Sequence, residues 1–101
     1  MEGVRIPVDE AAIADFCRRW RVREFALFGS VLGEDFRPDS DVDVLVTFEP
    51  GYEWTLDEYL AMVGELKALF GREVDLAVRS ALRNPFRRHH ILKTRRIVHV
   101  A

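Results

Sequence analysis

Two aspartates separated by one residue, Asp41 and Asp43, open the apolar run at residues 42–48, VDVLVTF. In an extended strand, residues i and i+2 point to the same face. Two carboxylates held that way repel each other and lose hydration. A magnesium ion compensates well, because it prefers carboxylate oxygens and keeps positions open for water and substrate phosphates. Asp-x-Asp is also common in solvated loops, so the pair needs company. Ten residues earlier, Gly29-Ser30 closes another apolar run, FALF. A glycine there lets the backbone approach a ligand closely. A helix starting at that point would aim free N–H groups and a positive dipole end at a phosphate, with the Ser30 hydroxyl as a further donor. An ordinary strand-to-helix turn reads the same way. A third acid, Asp75, interrupts VDLAV at residues 74–78. A carboxylate inside such a strand is costly unless paired or metal-bound; an exposed edge position or an ion pair with Arg72 would also accommodate it. Three carboxylates on adjacent strands, facing a phosphate turn, would let two ions clamp the attacking oxygen, the transferring group and the leaving group.

The elements that must position these residues follow from periodicity and capping. Ile13, Phe16, Cys17 and Trp20 form one apolar stripe, predicting a helix over 9–20 with Asp9 as its N-cap. Residues 22–28 read as a strand, with Val22, Glu24, Ala26 and Phe28 on one face. Residues 30–34 suffice for about one helical turn, and DFRPDS is a loop by composition. Residues 42–48 form the second strand, and the short link favours its running antiparallel to the first. Thr55 and Glu58 have capping-box spacing, so a helix starts near 56. Leu56, Tyr59, Leu60, Val63, Leu66 and Phe70 are expected on its buried side, and Gly71 is placed to end it. Residues 73–78 form a third strand. Asn84-Pro85 reads as N-cap and first helical position, and RIVHV as a last strand. The order implies helices packed on a sheet.

At 101 residues the chain fits one domain, 1–101, with a modest core. A single cysteine, Cys17, excludes an internal disulfide and a cysteine-built zinc site, and fits a reducing cytoplasm. No apolar run is long enough to cross a membrane. The net charge of −2 does not point to nucleic acid. Charge is segregated, however: residues 79–101 hold seven cations and no Asp or Glu. Such a face marks either a solvated helix or a partner surface. It lacks interleaved exposed aromatics for base stacking, so direct nucleic-acid binding is not expected. His89 and His90 would point about 100° apart on a helix and cannot share a metal; with His99 they read as structural. Cys17 reads as core, Trp54 and Tyr52 as core cover or ligand contacts, and Arg37 as a neighbour of the carboxylates.

Gly29-Ser30, ten intervening residues, then Asp41-x-Asp43 and a later strand Asp75 resemble the DNA polymerase β nucleotidyltransferase superfamily. The small size, the wording RPDSDVD at 37–43 and the ending LRNPFRRHHILKTRRIVHV resemble its minimal nucleotidyltransferase branch. The resemblance spans nearly the whole chain. It implies an α/β (α+β) nucleotidyltransferase fold: a small, mixed, curved sheet of three to four strands packed with about four helices. It implies that Gly29 and Ser30 hold the triphosphate of ATP, with Ser40 touching the nucleotide. It implies that Asp41, Asp43 and Asp75 hold two Mg2+ ions, and that Asp75 helps take the proton from the incoming hydroxyl. Members of that branch are typically antitoxins that transfer AMP to a tyrosine of a HEPN-domain RNase toxin, sometimes several times in succession. An antitoxin acting by binding alone, through the basic C-terminal face, is the alternative. The chain has no second domain to grip a template, a tRNA or an antibiotic.

Overall fold

The computed structural model describes residues 3–101. Helix α1 spans Glu10–Trp20, strand β1 Val22–Phe28, β2 Val42–Phe48, helix α2 Leu56–Phe70, β3 Val74–Val78, α3 Pro85–Thr94 and β4 Arg96–Val100. Each helix begins at the side chain that capping chemistry selects. Asp9 accepts from the Ala12 N–H. Thr55 and Glu58 complete a reciprocal capping box. Asn84 accepts from the N–H groups of Phe86 and Arg87. Gly71, with φ 67°, turns the chain out of α2.

The sheet order is β3-β2-β1-β4. β1 runs antiparallel to both β2 and β4, while β2 and β3 run parallel. The sheet divides two apolar layers. Phe25, Leu27, Val42, Val44, Val46, Leu76 and Val78 pack with Ile13, Phe16, Met62 and Leu66 of α1 and α2. Ala26, Phe28 and Leu45 pack with Ile91 of α3 on the opposite face. That alternation decides the site: Asp43 and Asp75 lie out of step with the first set and therefore face α3's side.

Two local expectations are corrected. Val22 packs with Phe25 and Leu27, not with Ala26 and Phe28, because the β1–β2 register shifts between Val22 and Glu24. Leu56 and Leu60 are 69% and 57% exposed. The buried stripe of α2 runs through Tyr59, Met62 and Leu66, and Leu60 lies about 100° round from Tyr59. Arg19 pairs bidentately with Glu65 of α2 at 2.6 and 3.1 Å, tying α1 to α2. The single helical turn expected after β1 is present as a 3₁₀ turn, Gly29–Leu32. Among the described residues the α-helices therefore number three, accompanied by this turn and a second 3₁₀ turn, Arg79–Ala81.

Candidate active site

Asp43 stands directly opposite Asp75 in the parallel β2–β3 register. Neighbouring strands lie about 4.8 Å apart, so the two carboxylates share one patch of the sheet. Asp41 is exposed and precedes β2 by one residue. The proton affinity of Asp43 reports the crowding. Burial first, then the charges of Asp75 and Asp41, raise its pKa above the ordinary carboxylate value. The Arg87 charge and the Ser30 backbone N–H pull it back down.

The turn after β1 closes over this acid. Gly29 has φ +74°, and a Cβ built there would lie 2.2 Å from Asp43 Oδ2. Only glycine combines that backbone conformation with that approach. A four-residue 3₁₀ turn has no appreciable macrodipole, so what it offers is individual backbone N–H groups. One of them, at Ser30, is directed at Asp43. Gly29-Ser30 and Asp75 flank Asp43 from opposite sides, since β1 and β3 are the two neighbours of β2.

The loop carrying Asp41 is held by Arg72, the residue after the glycine that ends α2. Its Nη1 donates to the carbonyls of Pro38 and Arg37 at 2.8 and 3.0 Å and reaches that of Ser40 at 3.4 Å. The guanidinium lies 4.5 Å from the centroid of the Phe36 ring. Arg72 thus serves the loop rather than pairing with Asp75. Ser40 Oγ accepts from the Arg37 N–H at 3.0 Å, so this hydroxyl is engaged inside its own loop. Arg72→Ala is expected to speed amide exchange at Ser40, whose N–H donates to the Arg37 carbonyl, while global stability falls by only about 1 kcal/mol. Hydrogen exchange followed by NMR, alongside thermal unfolding, checks this.

Two contributors escaped the sequence reading. Arg72 was considered only as a partner of Asp75, and Arg87 only as part of a basic tail. The Asn84 cap places Arg87 in the first turn of α3, and that start point was the available signal that it reaches the acids. The other tail cations are not all free: Arg95 pairs with Glu24 at 2.9 Å, and Arg88 donates to the Arg79 carbonyl at 3.2 Å.

Among the described residues no three His, Cys, Asp or Glu side chains close into a ready-made metal cage. An oxygen-only pair of opposed carboxylates, with a further acid beside it, suits a hard cation such as magnesium, which takes one or two carboxylates and completes its shell with water and phosphates. The like-charge strain on Asp43 is the feature such a cation would relieve.

The family model described as a nucleotidyltransferase domain matches residues 10–98. The chain belongs to that family. Among relatives of this nucleotidyltransferase domain, the protein adenylyltransferase MntA of Thermococcus cleftensis is 39% identical over 66 residues, covering 65% of each chain. Among solved structures, a toxin–antitoxin with AMP-PNP superposes with a TM-score of 0.74 at 16% identity, over 93% of this chain and 75% of that one. A complex of the tri-AMPylated Shewanella oneidensis HEPN toxin with MNT antitoxin superposes with a TM-score of 0.66 at 16% identity, over 91% and 70%. At those identities the two superpositions establish the fold. Among the described residues no helix is long and apolar enough to cross a membrane.

Proposed function

We propose that this nucleotidyltransferase domain, acting as one unit in a reducing cytoplasm, is an antitoxin that transfers AMP from ATP to a tyrosine hydroxyl of a HEPN-type RNase toxin and so silences it. The observation that carries the reading is the direct opposition of Asp43 and Asp75 beneath the Gly29 turn. The relatives, a protein adenylyltransferase and an antitoxin in complex with an AMPylated HEPN toxin, support the acceptor class.

In this mechanism Gly29 and Ser30 bind the triphosphate through the backbone turn, while Ser40 stiffens the neighbouring loop beside the nucleotide. Asp41, Asp43 and Asp75 would hold two magnesium ions, which would supply charge neutralisation at the transferring phosphate. The Asp75 carboxylate lies on the side away from the turn, where an incoming hydroxyl arrives, and takes its proton. The oxygen attacks the α-phosphorus, an O–P bond forms, the α–β phosphoanhydride bond breaks, and pyrophosphate leaves towards Gly29. Positioning and electrostatics carry most of the rate enhancement.

Labelled AMP from ATP is expected on the toxin with the wild type and magnesium, and not with the Asp41→Ala, Asp43→Ala double variant. Undiminished transfer by that variant refutes the mechanism. A second reading, neutralisation by binding alone, is favoured by the cation-only stretch 79–101. It predicts that the double variant still silences the toxin, and that charge reversal at Arg87 and Arg88 does not spare binding.

A further inference from the structure

Beyond Asp75, away from the phosphate turn, the surface continues as a groove made of two hollows that share Trp54. The first, of ≈ 310 Å³, is lined by Asp75, Tyr59, Leu82 and Arg87 among others. The second, of ≈ 370 Å³, is lined by Arg79, Ser80 and Arg88 against a wall of Phe48 and Tyr52. Glu49 is its one acidic lining residue. The aromatic rings form a ladder: Trp54 lies 5.7 Å from Tyr59 and 6.3 Å from Phe48, and Phe48 lies 5.2 Å from Tyr52. Trp54 is 36% exposed, so part of the ladder remains open to stacking.

Aromatic faces, two guanidinium groups and a hydroxyl form the chemistry that binds a nucleotide: a ring to stack and a phosphate to pair. The place of the groove says which nucleotide. In phosphoryl transfer the attacking and leaving oxygens lie roughly in line. With pyrophosphate leaving over Gly29, the attacker must come from the β3 side, where this groove begins. From Asp75 to Val78, where β3 ends, the chain advances three residues, about 10 Å along the strand direction, and Arg79 follows at once.

We infer that the groove is a second adenylate site, on the acceptor side, which holds an AMP already attached to the acceptor: its base against Trp54, its phosphate at Arg79 and Arg88. The inference rests on the proposed adenylyl transfer and extends it to successive additions. A ribose hydroxyl of the bound adenylate attacks the α-phosphorus of a second ATP. A new O–P bond forms, the α–β phosphoanhydride bond breaks, pyrophosphate leaves, and the hydroxyl proton passes to Asp75.

The test has two arms. In the first, free 5′-AMP is titrated by NMR into protein saturated with AMP-PNP and magnesium, so that the catalytic nucleotide position is filled. AMP is expected to bind the wild type, and at least about 10-fold more weakly to an Arg79→Ala, Arg88→Ala variant and to Trp54→Ala, with AMP-PNP affinity unchanged. In the second, α-labelled ATP and the HEPN-type toxin are expected to give products beyond one AMP with the wild type. The Arg79→Ala single variant should stop after the first, with its first-transfer rate within about twofold of wild type. No AMP binding to the wild type, unaltered AMP affinity in both variants, a single addition by the wild type, or an unaltered product ladder overturns the inference. An RNA 3′ end that displaces AMP and accepts label in preference to the modified toxin also overturns it, in favour of nucleic acid. If no protein here transfers any label, the proposed function fails and the first arm alone decides the groove.

Discussion

Asp43→Asn is expected to abolish AMP transfer while making the protein harder to unfold. The carboxamide fits the same space but carries no charge for a cation, and the loss of rate should be roughly 10³-fold. The stability change has the opposite sign. Burial and the neighbouring acids raise the Asp43 pKa above the ordinary carboxylate value, so the folded state binds its proton more tightly than the unfolded chain does. Stability contributed by that proton is present at low pH and is lost as pH rises through the raised value. The asparagine variant escapes this loss. In the presence of a chelator its Tm at neutral pH should exceed that of the wild type by roughly 4 °C, and the two should converge towards about pH 3. Calorimetry across pH, beside the labelled-AMP assay, checks both halves. A variant that loses activity and stability together would mean that Asp43 is structural.

Gly29→Ala is expected to lose both. The residue must adopt φ +74°, and its Cβ would sit 2.2 Å from Asp43 Oδ2. A left-handed conformation costs an alanine about 1–2 kcal/mol. The clash forces either the turn or the carboxylate to move, and a displacement of about 1 Å at a reacting group costs on the order of 10²-fold in rate. Denaturant unfolding and initial-rate measurements separate the two effects. Asp43→Asn, Gly29→Ala combined should recover little activity, because the amide still occupies the space that the methyl needs.

The contrast between what was legible and what was not has a physical pattern. Asp9, Thr55 with Glu58, Gly71 and Asn84-Pro85 marked element ends, because capping is a contact within four residues of the chain. The face from which Asp43 and Asp75 each project was accessible, because alternation assigns faces within a strand without knowledge of the partner; their opposition in register was not. What depended on the meeting of distant segments was not accessible. The register shift that turns Val22 inward, the exposure of Leu60 and the grip of Arg72 on residues 37–40 each depend on which backbone lies opposite. The reach of Arg87 to Asp43 arises the same way, since α3 lies across β2 and β1 rather than beside its own sequence neighbours.

Apart from the Phe36 ring beneath its guanidinium, Arg72 grips the loop before β2 through main-chain carbonyls. A carbonyl is the same whatever side chain its residue bears. The lettering at Arg37 and Asp39 is therefore free to drift under selection, so long as the loop's path is kept, and a variant library randomised at those two positions should return many working members where one randomised at Arg72 returns few.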